Sequence, residues 1–394
     1  MHGASRATAT AAAITVLVAA TTSGSTASSQ AATRRIVVDQ AFPQWRAQRV
    51  LTIPESALDA EVVTAMTVSP TGTVLAVDAR ALHIIALDST GRNRYTVGQR
   101  GTGPGEFRGL NAVGWLGDTL VVLDRVQRRL SVFAGSPLRL ARTVLWPTDT
   151  TFGRPDSVLT AGDALFAVVT RRTGAPTQVL SGRGMALAPP SRHFAPLTAS
   201  AVAGTALPHR DSTGGLGGHD CLDTRGTIHI LGPIVRDHGS MRAMTAQGDL
   251  VAALRDSFAL VVHSSDPTRG RTLIIRAHER ARLTNAMWDS LAARYVQVTR
   301  TAGSVTCTPA VTRPTHLPVI RAIATDERSR LWVEATEPAG AFIYVLTTAG
   351  VPIGRFAMPQ RDPRIAWAVR GDRLYVVEAD DDGLQSIHVY RVGP

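Results

Sequence analysis

Thr71-Gly72-Thr73-Val74-Leu75-Ala76-Val77-Asp78 and Gly117-Asp118-Thr119-Leu120-Val121-Val122-Leu123-Asp124 are two copies of one pattern. A turn carrying Gly or Asp leads into four apolar residues, and an Asp closes the run. Shortly after each Asp a second apolar run opens, Ile84-Ile85-Ala86-Leu87 in one copy and Leu130-Ser131-Val132-Phe133 in the other. Runs this short, bounded by turn residues, read as strands. Gly162-Asp163-Ala164 before Leu165-Phe166-Ala167-Val168 repeats the pattern, as does Arg225-Gly226-Thr227 before Ile228-His229-Ile230-Leu231. Two further copies are Ser329-Arg330 before Leu331-Trp332-Val333-Glu334 and Gly371-Asp372-Arg373 before Leu374-Tyr375-Val376-Val377. Strand pairs recurring at about 45 residues are the sequence mark of four-stranded propeller blades. The expected fold is therefore all-β, a single β-propeller of about six four-stranded blades.

The interval between the fourth copy at Ile228 and the fifth at Leu331 holds either an insertion or a seventh blade. Within it Leu283, Met287, Trp288, Leu291 and Tyr295 fall at helical spacing, so an amphipathic helix is expected over about 277–297, packed outside the ring or over one mouth. Closure of the ring needs a terminal strand, because an open sheet edge invites aggregation. Ile36 to Asp39 or Arg49 to Ile53 can supply it beside Ile387 to Val392.

Of the 394 residues 44% are hydrophobic and 19% charged, which excludes a disordered chain. The net charge is +11, and every basic residue is Arg. The arginines are scattered, with no basic tract interleaved with aromatics, so a solvated surface is expected and nucleic acid is not a partner. Without Lys there is no phosphate-binding P-loop and no Schiff-base chemistry. Residues 1–31 read as an export signal: Arg6, the apolar run from Ala11 to Ala20, then cleavage sites ending at Ala27 or Ala31. That run is too short to span a bilayer. Residues 32–394 then form one propeller domain, periplasmic or secreted, and monomeric. Cys221 and Cys307 are the two cysteines; in an exported chain they form a disulfide or stay as two thiols, and the bridge is the expectation.

The linker Gly98-Gln99-Arg100-Gly101-Thr102-Gly103-Pro104-Gly105-Glu106-Phe107 resembles the segment that leads into the innermost strand of the next blade in NHL-type six-bladed β-propellers. Its glycines permit tight turns, and Phe107 can plug between neighbouring blades. The resemblance extends through the two-strand repeat over about residues 50–394, outside the insertion. It implies a rigid ring whose loops and channel bind something. The family includes exported sugar-, peptide- and protein-binding modules as well as lactonases and amidating lyases, so the fold does not choose between scaffold and enzyme.

Catalytic signatures are mostly absent. His278-Glu279-Arg280-Ala281-Arg282 breaks the zincin pattern at its second His, and Glu378-x-Asp380-x-Asp382-Gly383 starts a calcium loop that Val389 fails to complete. Counting back from each repeat places Ala65, Asn111, Asp156, His219, Ala322 and Ile365 at one mouth of the channel. Asn111, Asp156 and His219, with Asp220 beside them, are the candidate ligand-binding residues. Asp156 and His219 suit a divalent cation, Ca²⁺ or Zn²⁺, in the central channel. The plainer alternative is that these polar groups satisfy strand ends. The sequence favours an exported binding module for a small molecule, glycan or protein. The alternative is a metal-dependent, lactonase-like hydrolase or lyase with its site in the channel.

Overall fold

The computed structural model describes residues 33–92, 94–146, 154–161, 164–171, 179–181, 184–186, 191–197, 207–211, 219–222, 228–231, 241–266, 268–290 and 314–394. Its strands build a β-propeller of six blades. Blade 1 runs through Ala65–Val68, Val74–Asp78, His83–Leu87 and Arg94–Val97. Blade 2 is Leu110–Leu116, Thr119–Asp124, Arg129–Ala134 and Arg139–Leu145. Blade 3 is Arg154–Ala161, Ala164–Arg171, Ser191–Leu197 and Leu207–Asp211. Blade 4 is Arg242–Met244, Leu250–Leu254, Ala259–His263 and Arg271–Ile275. Blade 5 is Ile320–Thr325, Leu331–Glu337, Gly340–Leu346 and Pro352–Ala357. Blade 6 takes Ala368–Arg370, Arg373–Ala379 and Gln385–Gly393 from the C-terminus and Arg46–Ile53 from the N-terminal region.

Five of the six sequence copies are second strands of blades. The fourth is not. Ile228–Leu231 pairs with His219–Leu222 in a two-stranded hairpin between blades 3 and 4, and the second strand of blade 4 is Leu250–Leu254. That strand has its own Gly248-Asp249 turn, the same signal over an alanine-diluted run. The helix in the insertion between blades 4 and 5 also starts later than its spacing suggests. Helix begins at residue 285, and residues up to 290 are described. The preceding stretch is held extended, with Arg282 bridged to His316 and the Leu283 amide donating to the Thr315 carbonyl.

The core lies between blades. Phe107 is fully buried among Leu75, Val77 and Ile84 of blade 1 and Leu120, Val122 and Phe133 of blade 2. A fully buried Phe contributes up to about 3 kcal/mol. The linker can bring Phe107 there only because Gly98 has φ +73° and no Cβ, which would run into the Phe107 ring. Trp332 fills the same kind of space between blades 5 and 6, against Leu374 and Val376.

Buried carboxylates fix the chain where one blade passes to the next. Asp78 is fully buried; its Oδ2 accepts the amides of Glu61 and Val62 in the incoming linker, and its Oδ1 those of Arg80 and Ala81 in the outgoing turn. Asp124 repeats this in blade 2, accepting Arg108 N–H (2.8 Å), Gln127 N–H (2.9 Å) and the Gln127 side-chain amide (2.8 Å). Between blades 5 and 6 both oxygens of buried Glu334 accept from Arg361 at 2.8 Å, and Trp367 Nε1 adds a third bond.

The N-terminal segment is a strap over three blades. Arg34–Val37 adds a parallel strand to the outer edge of blade 4. Trp45 N–H donates to Arg355 O on the outer strand of blade 5, and Arg355 N–H to Pro43 O. Arg46–Ile53 then pairs antiparallel with Gln385–Gly393 and completes blade 6. Both terminal stretches singled out for closure are used, on different blades.

Burial pushes the Asp124 carboxyl up, but the hydrogen bonds from Gln127 and Arg108 outweigh it and hold the group below the ordinary carboxylate value. Its contribution is therefore present above the unfolded value, near 4, and is lost as pH falls through the folded one. Asp124→Ala is expected to cost about 2–4 kcal/mol in chemical denaturation at neutral pH; Asp124→Asn should flatten the acid limb of the stability curve. Glu334→Ala leaves the Arg361 charge buried and unpaired and is expected to cost about 3–5 kcal/mol by the same measurement.

Candidate functional site

Strands in each blade alternate in direction, so the start of the first strand, the turn between the second and third, and the linker from the preceding blade share one end of the sheet. This end of the ring is its linker face. Asn111 and Asp156 both sit here, as the bulged residues near the starts of the first strands of blades 2 and 3. A bulge re-aims a side chain away from the regular alternation.

The two residues meet at Arg125, the residue after Asp124 in the turn of blade 2. Asn111 Oδ1 accepts the Arg125 backbone N–H at 2.9 Å. Asp156 Oδ1 faces the Arg125 guanidinium at 3.5 Å, tying blade 3 to blade 2. The Arg125 side chain is one-third exposed, while its Nε is buried and makes no hydrogen bond. Asn111 does what Thr64 does in blade 1, where Thr64 Oγ1 accepts the Ala79 amide at 3.2 Å. It closes a strand end and sets the arginine in place. The cation that Asn111 and Asp156 share is Arg125, which is neither an acidic, an amide nor an imidazole residue. Its signal is its position directly after a strand-ending Asp.

His219 and Asp220 start the hairpin strand His219–Leu222 rather than a first strand of a blade. That hairpin interrupts the linker from blade 3 to blade 4, so it is rooted at the same face as Asn111 and Asp156. Cys221 lies on the same strand, and Cys307 falls outside the described residues. Of the remaining counted positions, Ala65 and Ala322 lie on first strands, and Ile365 precedes that of blade 6. Among the described residues no three His, Cys, Asp or Glu side chains come together as a metal-ligating group.

A concavity lies at the outer flank between blades 1 and 2, an open groove of about 560 Å³ lined by His83, Gln99, Arg100, Glu106, Arg139 and Leu140, among others. Glu106 accepts from Gln99 Nε2 and from Gly103 N–H, which hold its carboxyl below the ordinary value. The groove is thus a product of the glycine-rich linker folding on its own glutamate.

No protein-family model matches this sequence, and no curated protein does. Solved structures do. A member of the DUF4221 family from Bacteroides vulgatus aligns over 90% of this chain and 99% of its own, with 10% identity and a TM-score of 0.50. A Bacteroides fragilis protein expected to be exported aligns over 92% of this chain and 100% of its own, with 8% identity and a TM-score of 0.46. The calcium-binding protein regucalcin of Agrobacterium tumefaciens aligns over 89% and 97%, with 11% identity and a TM-score of 0.40. The likeness is one of fold. At such identity it carries no site residue across.

Arg125 and Asp156 are both partly exposed, so their pairing is screened and worth little to stability. Asp156→Ala is expected to change the unfolding free energy by less than about 1 kcal/mol, well below the Asp124 effect. The comparison of the two variants by denaturation separates a positioning contact from a structural one.

Proposed function

We propose that the protein is an exported binding module that receives its ligand on the linker face of the ring. One observation carries this reading: every long interruption of the repeat is rooted at that face. Residues 172–190 separate the second and third strands of blade 3. Residues 212–241 form the linker from blade 3 to blade 4, and residues 276–319 the linker from blade 4 to blade 5. The opposite end of the ring carries shorter connections, two-residue turns such as Gly117-Asp118 and Gly371-Asp372 and, at most, residues 198–206 of blade 3. Added chain on one face of a rigid scaffold is where recognition is built. Export rests on the leader-like residues 1–31, and no helix among the described residues is long and apolar enough to cross a membrane.

Arg125 gives the face its chemistry. It pairs with Asp156 and is partly exposed, and a guanidinium suits a carboxylate or sulfate group on a small molecule, glycan or peptide. His219 and Asp220 lie in the linker from blade 3 to blade 4, which starts and ends on this face. The test is calorimetric titration of protein lacking residues 1–31 with uronic-acid and sulfated oligosaccharides, neutral oligosaccharides and acidic peptides. The expected result is binding of an anionic member that weakens at least about tenfold in Arg125→Ala. Binding that is indifferent to Arg125→Ala and to removal of residues 212–232 overturns the reading. Turnover of a lactone dependent on added Ca²⁺ or Zn²⁺ and lost in His219→Ala moves the assignment to the hydrolase alternative.

A further inference from the structure

At the outer strands of blade 6, toward the linker-face end, ring closure brings together residues that lie far apart in the chain. Thr52 on the N-terminal strand stands directly opposite His388 on the C-terminal one, and Ser386, two residues before His388, stands opposite Glu378. Thr52 Oγ1 lies 3.0 Å from His388 Nδ1. His388 Nε2 lies 3.2 Å from Glu378 Oε2 and 2.9 Å from Ser386 Oγ. A bulge at Val50 turns Arg49 to the same side of the sheet, opposite Tyr390. The imidazole is buried, whereas Thr52 and Arg49 are exposed.

The tautomer follows from the neighbours. A carboxylate beside Nε2 keeps the proton there, so Nδ1 presents its lone pair to the Thr52 hydroxyl. Hydroxyl, imidazole base and orienting carboxylate in line form the arrangement that activates an oxygen nucleophile. Burial first, and then the Arg49 charge, depress the imidazole's proton affinity, and Glu378 works against them; the base is thus neutral at neutral pH. We propose that Thr52, His388 and Glu378 form an acyl-accepting site on the outer wall of blade 6, with Thr52 as nucleophile and ester-bearing molecules as its substrate class. Thr52 Oγ forms a bond to the ester carbonyl carbon while its proton passes to His388 Nδ1. Collapse of the adduct breaks the bond to the alkoxy oxygen, which leaves as the alcohol with that proton. Water, activated by the same imidazole, then releases the carboxylic acid and restores Thr52. Arg49 is the group on this face able to face the developing oxyanion.

Incubation of the protein with p-nitrophenyl acetate, followed by peptide mass mapping, tests this. The expected result is acetyl on Thr52, formed at least about a hundredfold more slowly in His388→Asn, absent in Thr52→Val and retained in Thr52→Ser. The labelling rate should rise with pH through the titration of His388 and then level off. Glu378→Gln should move that midpoint to lower pH, because it removes the charge that favours the imidazolium. All four variants are checked for a native melting transition first. Acetyl on Ser386 or spread over surface hydroxyls overturns the proposal, as does a Thr52 rate unchanged in His388→Asn.

Discussion

The carboxylate of Asp124 accepts hydrogen bonds from two segments at once: the linker arriving from blade 1 and the turn leaving the second strand of blade 2. Asp78 does the same one blade earlier. Backbone amides at such junctions belong to neither strand ladder, and leaving them unpaired in a buried setting costs more than any single contact there returns. A short side chain with two acceptors solves the problem for both segments at once. The consequence reaches the surface: Arg125 and Asn111 are placed on the linker face by the residue that makes the junction possible.

Charge is used in two ways around the ring. Glu334 and Arg361 are buried and hydrogen-bonded on every side, and so belong to the packing between blades 5 and 6. Arg125 and Asp156 are a looser, partly exposed pair between blades 2 and 3. A buried pair specifies how two blades meet, and an exposed one leaves donors for something else. That difference, rather than the identity of the residues, separates scaffold from recognition surface in this molecule.

The blade repeat is legible because its strongest signal, a Gly or Asp turn before four apolar residues, falls on the second strand of five of the six blades. Val74–Asp78 and Thr119–Asp124 are almost entirely inaccessible to solvent. Ile228–Leu231 carries the same local pattern yet pairs only within a hairpin, since nothing in four residues records which strand lies alongside. Leu250–Leu254 gives a weaker signal because its alanines dilute the apolar run. The early part of the expected helix failed for a related reason, as the bridge from Arg282 to His316 is a long-range contact that local spacing cannot show. Asn111 and Asp156 stand out in the sequence by their count back from the repeat, whereas Arg125, which both contact, carries no such mark. Thr52 and His388 stand 336 residues apart in sequence and become neighbours only once register is known.

The strap imposes an order on folding. Arg34–Val37 has no partner until residues to Ile275 exist, and Arg46–Ile53 none until Gly393. Two strand-forming stretches at the front of the chain must therefore wait, unpaired, while nearly the whole ring is made. Such segments are prone to pair with one another across molecules. Arg34 and Arg35 open the first stretch, and Arg46 and Arg49 punctuate the second. Like charges at these positions disfavour pairing between parallel copies of the strap, so the arginines that edge these strands also bear on how two chains meet before the ring is closed.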